Sequence, residues 1–249
     1  MHLPVVLREA RDTLVPDMDG PHGPLPPMLL VLTVLTGLVD AFSYLLLGHV
    51  FVANMTGNVV FMGFALAGAP TFSLLASVVA LVSFAAGALA GGLTVHGARA
   101  HRGRQLQRAL LVETGFVAAA MIVATVSGEP YTGGGRFTLI VLLGLGLGAQ
   151  NACVRALAVP DLTTTVLTRT LTGTVADSRL AKGSGSRAGR RVLSAAAMLA
   201  GAFLGALALL NGHPTLPLVL AVILLAAMSA VTVPLARSDA AWTGPLSQA

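Results

Sequence analysis

The sequence predicts an all-α membrane protein: a polytopic transmembrane helix bundle of about six crossings plus two polar, partly inserted helices, with a candidate inverted 3+3 repeat. Three observations predict it. Of 249 residues, 55% are hydrophobic and only 10% are charged, where soluble domains carry about 25% charged residues. Apolar stretches near the length of a bilayer crossing recur at 28–48, 50–68, 72–95, 109–127, 137–154, 192–210 and 214–236, broken by charge only at Asp40 and Glu113. Landmarks of the first half also return in the second half in the same order.

Residues 1–27 carry Arg8, Glu9, Arg11, Asp12, Asp17 and Asp19 among several prolines, without a long apolar core. They read as a mobile cytoplasmic tail rather than a cleaved signal peptide. One transmembrane domain, 28–236, follows, with pseudo-repeats 28–127 and 137–236, and 237–249 reads as a second cytoplasmic tail. The single cysteine, Cys153, lies in a span and reads as a packing residue, so no disulfide is available. The net charge of +5 is no nucleic-acid signal, because ten of the fifteen basic residues sit in loops or tails beside spans. The partner this composition calls for is the lipid bilayer.

Two loops are strongly basic: 96–108, with Arg99, Arg102, Arg104 and Arg108, and 182–191, with Lys182, Arg187, Arg190 and Arg191. The positive-inside rule places both in the cytoplasm. Between them lie two clear spans, 109–127 and 137–157, and a more polar segment, 160–181. Three crossings would separate the loops, so 160–181 is expected to enter the membrane without crossing it. The repeat extends that reading to 49–68. Gly37–Ala41 matches Gly148–Ala152 at an offset of 111, Thr56 matches Thr168 at 112, and Gly87–Gly91 matches Gly201–Gly205 at 114. Three crossings per half insert the halves in opposite senses, an arrangement that recurs among transporters.

Helical spacing places Thr33, Thr36, Gly37, Asp40, Ser43 and Tyr44 on one polar stripe of the first span, and Gly144, Gly148, Asn151 and Arg155 on a stripe of its counterpart. The glycine pairs Gly87/Gly91, Gly144/Gly148 and Gly201/Gly205 read as small-xxx-small packing contacts. Asp40 is the chemical focus. It lies roughly 18 Å into a hydrocarbon layer of about 30 Å, where a carboxylate costs on the order of 2.5–3.5 kcal/mol and needs a polar partner. Two roles stay open: a structural ion pair with Arg155, or a ligand-binding carboxylate. Arg155 also lies close enough to its span end to reach water.

Asn54, Thr56, Gly57 and Asn58 suit a helix start or break inside lipid, where freed backbone groups need side-chain partners. They read either as a cap or as the lining of a solute path. In the second half, Thr164, Thr165 and Thr168 surround Arg169, a set able to coordinate an anion or simply to bond back to its own helix. Gln150 beside Asn151 completes the candidate substrate-binding residues. Glu113 reads as interfacial and Gly133–Gly135 as a loop hinge. No histidine pair has metal-ligand spacing, no glycine loop cradles phosphate, and no cofactor or catalytic constellation is called for.

The Asp40–Tyr44 run, the Asn54–Asn58 motif, Gln150-Asn151-Ala152 with Arg155, and Thr164-Thr165 together resemble the YoaK-like family of bacterial membrane proteins. The resemblance covers the chain from about Leu29 to Val233 and implies an integral protein of the bacterial cytoplasmic membrane. It supplies no substrate. Arg169 departs from the pattern, which implies a glycine there echoing Thr56-Gly57. The functional expectation is a small-solute transporter or permease with a polar site at the repeat interface. The alternative is a non-transporting assembly factor or sensor partner whose polar core is structural.

Overall fold

A computed structural model describes residues 5–96, 101–162 and 188–244. It is all-helical: α1 Val5–Leu14, α2 Leu25–Leu46, α3 Met55–Leu66, α4 Leu74–His96, α5 Arg102–Ser127 and α6 Gly133–Leu157. After residues outside the description come α7 Ala188–Leu210 and α8 Leu216–Leu235, then a 3-10 turn at Ala241–Thr243. Six helices (α2, α4, α5, α6, α7 and α8) are long and apolar enough to cross a membrane. Helix α3, with 12 residues, spans only about 18 Å and is too short. Its expected counterpart at 160–181 lies, from residue 163 onward, outside the described residues.

Burial ranks the spans. In their most apolar windows, 72% of α2 and 61% of α6 is buried, against 33% or less in the other four. Helices α2 and α6 are therefore central. Each is gripped by one neighbour through glycines: α2 by α7, and α6 by α4. A Cβ on Gly201 would strike the Val34 carbonyl, and one on Gly37 would lie 2.5 Å from the Met198 carbonyl oxygen. On the other side, a Cβ on Gly87 would strike the Leu145 carbonyl, and one on Gly148 the Phe84 carbonyl. The backbones touch directly, which small residues alone permit.

The two grips use corresponding residues. Val34 and Leu145, like Gly37 and Gly148, are 111 positions apart, while Gly87 and Gly201, like Phe84 and Met198, are 114 apart. Contacts advance in the same direction along both members of each pair, so α2 runs parallel to α7 and α4 to α6. Helix α5 runs antiparallel to α8, with Gly103 against Leu235, and antiparallel to α6, with Gly146 against Phe116. It follows that α2 leaves the end of the bundle carrying Arg102, Arg104 and Arg191, and α6 returns to it.

Several boundaries correct the sequence reading. The basic stretch 102–108 is not loop but the first two turns of α5. Arginine, glutamine and leucine favour helix there, and the His101 ring Nδ1 accepts the Arg104 N–H at 3.2 Å as a cap. Gly133–Gly135 begin α6 rather than forming a hinge. The described parts of the expected tails are largely exposed but anchored at a few points. Glu9 accepts the Gly189 N–H at 2.9 Å at the start of α7, where the helix end favours an anion. Trp242 is 1% exposed and lies where a Cβ on Gly23 would enter its ring. The Arg102 guanidinium joins both segments. It donates to the carbonyls of Pro21 (2.8 Å), Trp242 (3.3 Å) and Leu157 (2.5 Å).

Candidate functional site

The site forms where α2 ends and the chain folds back on it. Gly48 (φ 87°) and His49 (φ 56°) adopt left-handed backbone, a conformation glycine takes without penalty and other residues rarely take. The turn sends residues 50–54 back along α2, with Val50, Val52 and Ala53 buried. Non-helical backbone inside lipid-grade surroundings has amides that need partners, and Asp40 provides them. Its Oδ1 accepts the N–H of Val52 and of Ala53, each at 3.1 Å. Its Oδ2 accepts the side-chain amide of Asn54.

Asn58, one turn into α3 and fully buried, pins the same segment from the other side. Its Oδ1 accepts the Phe51 N–H at 2.9 Å and its Nδ2 donates to the Phe51 carbonyl at 2.6 Å. An amide side chain matches both groups of one residue because it carries a donor and an acceptor. Asn54 stands at the helix start yet makes no side-chain cap bond, so the cap reading gives way to a tie between α3 and α2. Phe51 then stacks on Tyr44 with ring centroids 5.0 Å apart. A Cβ on Gly57 would lie 2.7 Å from the Phe51 ring, so Gly57 makes room for the stack. Thr56 is exposed, and Ser43 donates to the Asp40 carbonyl of its own helix at 3.2 Å.

Of the two roles left open for Asp40, the ion pair with Arg155 does not form. Arg155 is exposed at the end of α6, while Asp40 is 3% exposed and its donors all lie within 52–54. Three N–H donors stabilise a buried carboxylate without a cation. Gln150 and Asn151 are not among its partners: Asn151 donates to the Leu147 carbonyl at 2.9 Å, and Gln150 is 1% exposed. Thr164, Thr165, Thr168 and Arg169 lie outside the described residues. Two clefts, one between α4, α5 and α6 and the other at Gly212–Val219, lie away from Asp40.

Three features escaped the sequence reading. Glu113, expected at the interface, is fully buried; with α5 starting at Arg102, it lies about 16 Å along that helix. Asp161 pairs with Arg191 at 2.9 Å. Arg102 is 3% exposed, not a free loop charge. Among the described residues, no group of three or more histidine, cysteine or acidic side chains is placed to hold a metal.

Six apolar helices and a short tethered seventh define a multi-pass helical membrane protein. The chain belongs to the family described as protein of unknown function (DUF1275), which matches residues 28–231. Among curated proteins it is similar to the UPF0700 transmembrane protein YoaK of Bacillus subtilis (strain 168). Identity there is 31% over 153 residues, covering 60% of this chain and 65% of the relative, just under two thirds of its length. No solved structure matches the chain.

Proposed function

We propose that this protein is a non-enzymatic transporter or permease for a small solute in the bacterial cytoplasmic membrane, with its arginine-rich end in the cytoplasm. The observation that carries this reading is α3: a helix too short to cross, whose start is tethered within the bundle by Asp40. Interrupted helices placed inside a pair of inverted repeats line solute paths in many transporters. Support for such repeats comes from the matched glycine contacts of α2–α7 and α4–α6 at offsets of 111 and 114. On this reading the Asp40–Asn54 tie is the closed state of a gate, and its release frees α3 to move.

One observation favours a structural core instead. Asp40 is buried and every described partner is local, as expected of a residue that only holds a loop. The readings part on whether the tie opens. Ala53 is 2% exposed beside Asp40, so a cysteine there, in a Cys153→Ala background, reports opening without knowledge of the solute. The gate reading expects slow modification by a membrane-impermeant thiol reagent, faster when Asp40→Ala is added. A cysteine at the core position Ala80 should stay unmodified. An Ala53→Cys protein that stays unmodified, with and without Asp40→Ala while folded, rejects the gate.

A further inference from the structure

Glu113 is fully buried in the middle of α5, and neither of its carboxyl oxygens has a hydrogen-bond partner. Gln150 of α6 is 1% exposed, and both ends of its side-chain amide are likewise unpartnered. The two belong to one interface. A Cβ on Gly146 would lie 3.9 Å from Glu113 Cγ, and Gly146, Gln150 and Cys153 follow one another on one face of α6 at helical spacing. An acid with no role in holding the fold, at membrane depth, is a functional residue by default.

The surroundings decide which ligand it takes. Helix α6 faces Glu113 with Gln150 and the buried thiol of Cys153, its Arg155 being exposed at the far end. Helix α8 contains no titratable residue, α4 contains none but the terminal His96, and the 3-10 turn contains none. Along α5 itself, Arg102, Arg104 and Arg108 stand at the basic end. No cation among the described residues therefore meets the carboxyl. A metal ion would need several oxygen ligands, and one carboxyl with one amide falls short. A proton needs only one.

We propose that Glu113 is a proton-binding site inside the membrane, and that the unpartnered amide of Gln150 on the facing helix turns to meet it when it binds or releases its proton. Protonated, the carboxyl donates its O–H to the Gln150 amide oxygen. After the proton leaves to water, the carboxylate accepts from the Gln150 amide N–H. One amide serves both forms because it carries an acceptor and a donor at its two ends. Asp40 contrasts with it: three fixed donors already suit the ionised form. A proton site at Glu113 does not require the transport reading, since it concerns a different helix pair.

Infrared difference spectroscopy on the full chain in lipid bilayers tests this. Wild type minus Glu113→Gln should show a buried-carboxyl C=O band that shifts in D2O and gives way to a carboxylate band as pH rises. Past the midpoint the band should fall about tenfold per pH unit. Gln150→Leu should move it towards the frequency of a carboxyl without a partner. If Glu113→Gln does not fold, Glu113→Asp supplies the comparison through a displaced band. A missing carboxyl band at every pH where the protein is folded overturns the proposal. So does a band that neither exchanges in D2O nor titrates.

Discussion

Asn54 donates its side-chain amide to the carboxylate of Asp40, 14 residues earlier, and so ties the start of α3 to the first span. Together with the Val52 and Ala53 amides, this bond replaces the cation that a buried aspartate would otherwise need. Asp40→Leu is expected to strand those donors, at about 1–3 kcal/mol for each one left buried. Asp40→Asn keeps an oxygen for the two backbone amides and should cost less. Arg155→Gln should be neutral within about 0.5 kcal/mol, with no coupling to Asp40→Asn. Unfolding of the purified variants in detergent measures all three, and coupling above about 1 kcal/mol would restore the ion pair.

That the members of this cluster meet was not legible, although they lie within one helix–loop–helix unit. Asp40, Asn54 and Asn58 stood out one by one, as polar residues in lipid-grade sequence. The glycine landmarks did carry their contacts, because backbone approach leaves a residue-type signature at fixed spacing. Arg155 misled, since alignment of two spans fixes their correspondence but not which residues meet. Glu113 and Arg102 were misplaced for one shared reason. Counting apolar residues starts α5 near 109, whereas good helix formers and the His101 cap start it at Arg102, which shifts every depth along it. The burial of Trp242 depends on residues more than a hundred positions away, beyond the reach of local pattern.

Gly57 makes room for the aromatic stack. Its absent Cβ leaves the space that Phe51 occupies, 2.7 Å from where that atom would sit, while Tyr44 stacks on the same ring. Gly57→Ala should cost about 1–3 kcal/mol by overpacking, and Phe51→Leu in the same chain should recover most of it. A Gly57→Ala protein as stable as wild type in thermal unfolding would show that the ring is free to move aside.

Arg102 holds the basic end together through carbonyls from three separate segments. Arg102→Met should lose at least about 1.5–3 kcal/mol, the range for a bond to a charged group. It should also expose the segments around Pro21 and Trp242 to limited proteolysis. Arg102→Lys should not rescue, because an ammonium lacks the planar fork that reaches several acceptors at once. Unchanged cleavage in Arg102→Met would mean that the flanking segments hold by apolar packing alone.

Gly87 and Gly201 occupy corresponding places in the two grips, each against a backbone carbonyl, of Leu145 and Val34 respectively. Backbone cannot rotate away as a side chain can, so an added methyl must push the helices apart. Gly87→Ala and Gly201→Ala are each expected to destabilise by at least about 1–3 kcal/mol, and by similar amounts, since both central helices lose the same contact. The outward-facing Gly92 and Gly63 have open space where a Cβ would go. There, Gly→Ala should stabilise by about 0.5–1 kcal/mol through helix propensity alone. Thermal unfolding of the four variants decides between packing and propensity. If Gly87→Ala and Gly201→Ala differ widely, the two grips are not energetically equivalent despite their matched residues.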